Sequence, residues 1–154
     1  MNILVTGGAG FIGSNLCARL LSMGHLVICL DNLQTGNLKN LEQFKSNRNF
    51  IFKKADITNK QFFPKLDFIW HLACPASPPK YQADGYKTLQ TSLIGTMNML
   101  ELAKTHNCPL LFIIILSKST FIRSDSKHGK LCNKQSFTLT SDGVIFSPLG
   151  DNKE

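Results

Sequence analysis

The chain begins with an apolar run, Asn2-Ile3-Leu4-Val5-Thr6, that leads straight into Gly7-Gly8-Ala9-Gly10-Phe11-Ile12-Gly13. The three spaced glycines have separate uses. Gly7 permits a tight turn, Gly10 lets backbone approach a pyrophosphate, and Gly13 lets the following helix pack closely on the strand. Residues 11–23 place Ile12, Leu16, Leu20 and Met23 at helical steps, and Gly24 ends the segment. A second apolar run, residues 26–30, stops at Asp31, at roughly the twenty-residue distance that a dinucleotide-binding unit uses. A phosphate group would meet free N–H groups at the helix N-terminus. A glycine turn of purely structural use is the alternative. The strand before it, the helix after it and the acid ending the second strand favour the binding site.

The rest of the chain continues the alternation. Residues 31–40 are polar and hold Thr35-Gly36-Asn37, a loop that enters a short helix through Leu41 and Phe44. Phe50-Ile51-Phe52 reads as a third strand closing at Ala55-Asp56-Ile57, and residues 68–73 as a fourth. Pro75-Ala76-Ser77-Pro78-Pro79 excludes helix and ladder and reads as a loop. A long helix over residues 84–105 is expected to bury Leu89, Leu93, Thr96, Leu100 and Ala103, and residues 110–116 form a fifth, buried strand. The fold class is therefore α/β: a Rossmann-type doubly wound parallel sheet, truncated after about the fifth strand. Ligands of such sheets bind at the strand carboxyl ends, where the glycine turn, Asp31, Asp56 and residues 72–77 converge.

Beyond Ser117 the helical period is lost, and Ser136 to Phe146 reads at most as a hairpin around Ser141-Asp142-Gly143. The expected division is a partial binding domain, residues 1–116, and a divergent, irregular C-terminal tail, residues 117–154. A sheet that stops at strand five would leave an apolar edge open to aggregation.

Composition narrows the function classes. With 43% hydrophobic and 18% charged residues in 154, the chain has enough apolar content for one packed domain. The net charge of +7 is spread, with no arm-like basic run, so no nucleic-acid partner is expected. It is solvated basic surface or, in part, attraction for an anionic ligand. Five cysteines at scattered spacings suggest no disulfide framework. Cys17, Cys29 and Cys108 read as small core residues, and a reducing, cytoplasmic setting fits. No leader is visible, and the apolar run at 110–116 is too short to span a membrane, so no membrane partner is expected. The histidines form no metal-ligand spacing, and His71 reads as a packed histidine rather than an acid–base.

Asp31 can accept hydrogen bonds from an adenosine ribose and would repel a 2′-phosphate, which favours NAD over NADP. The alternative is an aspartate that merely starts a loop. Asp56 can accept from the adenine amino group or serve the local backbone.

Thr6-Gly7-Gly8-Ala9-Gly10-Phe11-Ile12-Gly13 resembles the opening of the extended short-chain dehydrogenases, the nucleotide-sugar epimerase/dehydratase family. The stretch from His71-Leu72-Ala73-Cys74-Pro75-Ala76-Ser77-Pro78-Pro79 to Gln82 is similar to the UDP-glucuronate decarboxylase branch of it. So are Lys87-Thr88-Leu89-Gln90-Thr91 onward to Leu100, and Asp31-Asn32-Leu33-Gln34-Thr35-Gly36. The resemblance covers about residues 1–112. It implies NAD as cofactor, with Gly10, Phe11 and Ile12 at the pyrophosphate and Asp31, Asn32, Thr35 and Gly36 around the adenosine ribose. It implies Asp56 and Ile57 beside adenine, and Leu72, Cys74 and Thr91 along the cofactor. Asn98 and Lys104 match positions that hold the UDP-sugar. Between Asp56 and His71 the register departs from the pattern by about one residue, so the aromatic sugar contact is not assigned, with Phe62 and Phe63 as its candidates.

The sequence also departs from that pattern. Gln90 stands where a lysine near the sugar acid is usual, and Ser92 replaces an asparagine. The branch oxidises its sugar at C4 with NAD, loses CO2 from the β-keto acid and reduces the product. It uses a tyrosine whose proton is made labile by a lysine four residues on. A tyrosine at its ordinary pKa of about 10 is a poor base at neutral pH. The two tyrosines here, Tyr81 and Tyr86, are followed four residues later by Gly85 and Gln90, so no Tyr-x-x-x-Lys exists in these residues. The resemblance thus implies the NAD-binding amino-terminal portion of such an enzyme, cut short by a reading-frame shift or a divergent gene end and inactive alone. The alternatives are a non-catalytic NAD(H)-binding module, as a homodimer or paired with a full-length relative, or another nucleotide-sugar epimerase or dehydratase. A product that folds poorly and has no activity is a further reading.

Overall fold

The structure is a computed structural model that describes residues 1–74, 79 and 83–112, together with the backbone of Gln135–Thr140 and Gly143–Pro148. Five parallel strands, β1 (Asn2–Thr6), β2 (Leu26–Asp31), β3 (Phe50–Lys54), β4 (Phe68–His71) and β5 (Leu110–Phe112), form most of one sheet. Their order is β3-β2-β1-β4-β5. The chain winds outward from β1 through β2 to β3, then returns to place β4 on the other side of β1. The carboxyl ends of β1 and β4 therefore flank the switch in winding, where ligands of such sheets bind.

Alternate residues of the strands serve two cores. Ile3, Val5, Val27 and Cys29 face α1 (Phe11–Ser22) and the 3₁₀ turn Leu38–Phe44, joined by Cys17, Leu20, Leu41 and Phe44. Leu4, Ile28, Leu30, Ile69 and Leu110 face the opposite helix and pack with Ile57, Met99 and Leu102. Burial on both sheet faces explains why the central strands read as unbroken apolar runs.

The opposite helix is a continuous run of three pieces: α2 (Gly85–Gln90), a π-helical turn (Thr91–Gly95) and α3 (Thr96–His106). Asp84 caps it by accepting from the Lys87 amide at 2.8 Å, and Asn107, in the left-handed region at φ 50°, ends it. The helix is where sequence places it, but it buries a different face. Thr91, Gly95, Met99, Leu102 and Ala103 point inward, whereas Leu89, Leu93 and Leu100 are exposed and Thr96 is half-buried. The cause is close approach at Gly95, where a Cβ would lie 2.3 Å from Ile57 Cδ1. Only the face carrying small residues can come that near the sheet. Helix α1 is rotated in the same way: Gly13, Ser14, Cys17 and Leu20 are buried, while Ile12 and Met23, expected inside, are exposed.

The tail supplies the hairpin read around Ser141-Asp142-Gly143. Strands β6 (Gln135–Thr140) and β7 (Gly143–Pro148) pair antiparallel, and β6 adds antiparallel to β5, with Leu110 opposite Leu139. The β5 edge expected to lie open is therefore paired at Leu110 and Leu111. Residues 113–116 of the expected fifth strand and most of the double-proline loop, 75–78 and 80–82, lie outside the described residues. Cys17, Cys29, Cys74 and Cys108 are free thiols; Cys17 and Cys29 are fully buried as expected, whereas Cys108, expected in the core, is half-buried at its margin. Among the described residues no helix is long and apolar enough to cross a membrane, and no cluster of His, Cys, Asp or Glu is placed to hold a metal.

Candidate functional site

The crevice at the strand carboxyl ends has two walls. The first is the glycine turn. Gly7, at φ 73°, donates to Leu30 O at 2.8 Å, which ties the turn to β2. A Cβ there would meet the Leu72 backbone at 2.8 Å. Gly13 is more tightly held, since its Cβ would lie 2.3 Å from Gly7 O and 2.7 Å from Gly8 Cα. Gly10 differs: its Cβ would meet only Gly7 O, at 3.3 Å. Its outward side is open. As the N-cap of α1, with no side-chain cap, it leaves the amides of Phe11, Ile12 and Gly13 without intrahelical acceptors. The exposed Phe11 side chain, 82% accessible, flanks those donors. Backbone donors at a helix N-terminus, beside a glycine open toward solvent, fit an anionic phosphate group.

Asp31 closes this wall. It is 7% exposed, and its Oδ2 accepts from the Ala9 amide at 2.9 Å while Oδ1 accepts from the Leu33 amide at 2.7 Å. Leu33 has φ 63°, a strained conformation for a leucine, and the Asp31 carboxylate holds it there. A Cβ on Gly36 would lie 3.0 Å from both Asp31 oxygens and 2.8 Å from Ala9 Cβ, so the loop bearing Thr35 and Gly36 folds directly over the carboxylate. Asp31 thus does what its loop-starting alternative required, at the carboxyl end of β2. Each oxygen keeps a further lone pair for a hydroxyl donor.

The second wall is assembled from β3, β4 and the opposite helix. The Asp56 carboxylate accepts four hydrogen bonds. Oδ1 takes the Thr58 amide at 2.9 Å and the Thr58 hydroxyl at 2.7 Å. Oδ2 takes Asn32 Nδ2 at 3.1 Å and Lys87 Nζ at 2.9 Å. Burial pushes the Asp56 carboxyl up, but the bonds from Lys87, Thr58 and Asn32 outweigh it and hold the group well below the usual carboxylate range. Ile57 is buried against Gly95, and Thr91 is buried with its hydroxyl donating to Lys87 O at 2.9 Å. Leu72 donates to Thr6 O at 3.1 Å, and Cys74 Sγ lies 3.3 Å from Ser92 Oγ. Ser92, one of the departures from the family pattern, therefore makes its own contact with the β4 loop. Gln90, the other, donates to Tyr86 OH at 3.3 Å on the exposed face.

The structure brings Gly7, Gly10, Phe11, Ile12, Gly13, Asp31, Asn32, Thr35, Gly36, Asp56, Ile57, Leu72, Cys74 and Thr91 to this one end of the sheet. It does not bring Lys104 there. The helix runs antiparallel to the strands, so Lys104 is exposed near the amino ends of β4 and β5, where Leu66 N donates to His106 Nδ1 at 3.3 Å. Asn98 sits between the two ends, and its amide donors are taken by Ile57 O at 2.8 Å and Thr58 O at 3.0 Å. Asn98 therefore anchors the Asp56 turn. It also lines a cleft of about 310 Å³ with Phe62, Phe63, Glu101 and His106, which lies along α3 rather than at the glycine turn. His71 is packed, as read: Nδ1 is 2.7 Å from Thr6 Oγ1, Nε2 is 3.2 Å from Thr96 Oγ1, and the ring stacks on Phe112 at 4.9 Å. Burial pushes its pKa down to about 4. Sequence reasoning missed Lys87 and Thr58 as partners of Asp56. The Asp-x-Thr spacing of an aspartate turn was a usable signal for Thr58; nothing local announced Lys87.

A parallel sheet in this order, with a glycine turn leading into a helix and an acid ending β2, defines a Rossmann-type fold. The chain belongs to the NAD dependent epimerase/dehydratase family, whose family model matches residues 3–140. That match reaches past residue 112, where the resemblance was expected to stop. Among curated relatives, UDP-glucuronic acid decarboxylase 1 of Danio rerio is 46% identical over 109 residues, covering 71% of this chain and 26% of the relative. UDP-glucuronic acid decarboxylase 6 of Arabidopsis thaliana is 48% identical over 105 residues, covering 68% and 30%. The chain thus spans less than a third of the length of these relatives. Among solved structures, Pal from Bacillus thuringiensis matches with a TM-score of 0.67 at 33% identity, covering 73% of this chain and 38% of that one. The Thermus thermophilus UDP-glucose 4-epimerase, solved as a complex with NAD, matches at 0.60 and 33%, covering 73% and 37%.

Proposed function

We propose that this chain is the NAD-binding amino-terminal portion of a UDP-glucuronate decarboxylase-like enzyme. The observation that carries the reading is the first wall: an open Gly10 at a helix N-terminus with three free amides, beside a buried Asp31 that ends β2. Phe11, Ile12 and Gly13 amides bind the pyrophosphate, Asp31 orients the adenosine ribose and disfavours a 2′-phosphate, and the Asp56–Ile57 turn receives adenine. Leu72, Cys74 and Thr91 line the further course of the cofactor. The identity to UDP-glucuronic acid decarboxylases supports a UDP-sugar as the second small molecule. Asn98 supports this second site only through the turn it anchors, and Lys104 is left outside it.

NAD, when bound, supplies hydride acceptance and return. This chain's residues bind and orient it; the proton transfer at the sugar hydroxyl needs a Tyr-x-x-x-Lys that these 154 residues do not contain. The cofactor-holding residues all fall within residues 1–116, and Gln135–Thr140 and Gly143–Pro148 add an edge to the sheet. Calorimetry with NAD tests the reading: saturable binding supports it, and absence of binding at millimolar NAD overturns it. Purified chain with NAD and UDP-glucuronate should give no UDP-xylose; its formation would place the chemistry in this chain.

A second reading, a non-catalytic NAD(H)-binding module that pairs with a copy of itself or with a longer relative, is favoured by the outer face of the helix. Tyr86, Leu89, Leu93, Met97 and Leu100 form an exposed apolar stripe there. Sedimentation of wild type and Leu93→Asp decides: a dimer lost in the variant supports pairing. Epimerase or dehydratase activity on another sugar is separated by which nucleotide sugar, UDP-glucuronate or UDP-glucose, competes best for the chain. Free cysteines fit a reducing, cytoplasmic setting.

A further inference from the structure

The second wall contains a conflict. A carboxylate has about four lone-pair sites. At Asp56 all four are taken, by the Thr58 amide, the Thr58 hydroxyl, Asn32 Nδ2 and Lys87 Nζ, at 2.7–3.1 Å. The adenine 6-amino group, if it is to be read by this carboxylate, must displace one of them. The two Thr58 bonds are local and close the turn itself, so they stay. Asn32 Nδ2 makes the longest of the four bonds, but Asn32 is pinned because its Oδ1 accepts from the Gln34 amide at 3.0 Å. Lys87 is the partner free to leave. Its side chain is a third exposed, on a flexible stem, and its ammonium can exchange Asp56 for water.

We infer that Lys87 is a positioning residue that sets cofactor specificity through Asp56: its ammonium occupies the Oδ2 lone pair that the adenine 6-amino group requires, so binding of a 6-amino purine is coupled to opening of the Lys87–Asp56 pair. The inference rests on the proposed placement of adenine beside Asp56 and Ile57. It extends that placement to the helix. Lys87 begins the run whose Thr91 hydroxyl bonds Lys87 O, just before the π-helical turn. Opening the pair removes this tie between the first turn of the helix and the Asp56 turn, while Gly95 stays packed on Ile57.

The test compares NAD with nicotinamide hypoxanthine dinucleotide, which carries a 6-oxo group in place of the 6-amino group and has the same charge. Dissociation constants for both are measured by calorimetry on the full chain, for wild type, Lys87→Met and Lys87→Arg. In Lys87→Met the ratio of the two constants should rise about three- to tenfold in favour of NAD, because Oδ2 is now open to the amino donor and no cation remains to meet the oxo group. Lys87→Arg should keep the wild-type ratio. In the wild type alone, raising salt should move the ratio in the same direction as Lys87→Met, since screening weakens the pair while acting equally on both cofactors' phosphates. This arm stands even where a variant does not fold. A ratio that stays constant across variants and salt, including equal weakening of both cofactors in Lys87→Met, overturns the inference while leaving NAD binding intact. Absence of NAD binding in every protein overturns the proposed function itself, and this inference with it.

Discussion

The two walls of the crevice carry similar polar groups but hold them by different means. In the glycine-turn wall, backbone meets backbone: Gly13 rests on Gly7 and Gly8, Gly7 rests on Leu72, and the only carboxylate is tied by two amides. Its outward donors are left unspent. In the Asp56 wall the carboxylate is saturated by one backbone amide and three side chains, those of Thr58, Asn32 and Lys87, and one of those side chains can swing away. The first wall is preorganised and open; the second is closed until something competes with it. Rigid backbone contacts tolerate no added atoms, whereas side-chain contacts tolerate exchange, so substitution should damage the first wall far more than the second.

The sharpest way to break that contrast is Gly13→Ala. Its new Cβ would lie 2.3 Å from a carbonyl oxygen and 2.7 Å from a Cα, neither of which is a movable side-chain end. Overpacking of this kind should lower stability by on the order of 3 kcal/mol. Urea denaturation measures it, and a loss below about 1 kcal/mol would show that the turn is not the rigid wall described.

Acid should act on the floor between the walls. His71 joins β1 to α3 through Thr6 and Thr96 and is held neutral, its pKa lowered from an ordinary 6.5 to about 4. The unfolded chain binds the proton more readily, so this contribution is complete above pH 6.5 and is lost as pH falls toward 4. The shift corresponds to a decline of about 3 kcal/mol over that window. Unfolding midpoints between pH 7.5 and 4.5 should show it, and His71→Gln should be less stable at neutral pH with a flatter profile. A wild-type profile already flat through this window would mean that the ring is not held neutral.

How much of this was legible in the sequence follows the same division. The glycine turn, β2 and Asp31 were readable because each signal is local: spacing of glycines, an apolar run, an acid at its end. The Lys87–Asp56 pair joins residues distant in the chain, and no periodicity marks it. The inward face of the long helix differs from the one apolar spacing predicts, for a related reason. Leu89, Leu93 and Leu100 make the better apolar stripe, but Gly95 decides the contact because a Cβ there would strike Ile57. Helix α1 turned on Gly13 in the same manner. Apolar periodicity identifies that a helix is present; close backbone approach decides which side is buried. The resemblance places Lys104 at the sugar, and the direction of the helix carries it to the other end of the sheet.

A smaller effect is expected at Asp31, where the two walls meet. Asp31→Ala leaves the buried Ala9 amide unpaired and releases the strained Leu33 turn. Losing hydrogen bonds to a charged acceptor should lower stability by about 2 kcal/mol. NAD affinity should fall with it, while Asp31→Asn, which keeps one acceptor oxygen, should retain more of the stability than of the affinity. Equal loss of both in the two variants would mean that Asp31 serves the loop alone.

The smallest change in stability should come at Gly10, and it separates the two uses of glycine within one wall. A Cβ at Gly10 would meet a single atom, Gly7 O at 3.3 Å, so a shift of a few tenths of an ångström accommodates it. Gly10→Ala also replaces an acceptable N-cap by a poor one, and together these should lower stability by at most about 1 kcal/mol. Its methyl group, however, would project from the N-cap beside the amides of Phe11 and Ile12, where the pyrophosphate is proposed to sit. NAD affinity should therefore drop at least tenfold in a protein whose unfolding is close to that of wild type. Gly13→Ala should lose binding because the fold is lost, and Gly10→Ala should lose binding with the fold retained. If Gly10→Ala instead binds NAD as wild type does, the open side of this glycine does not face a phosphate, and the glycine turn is a packing device only.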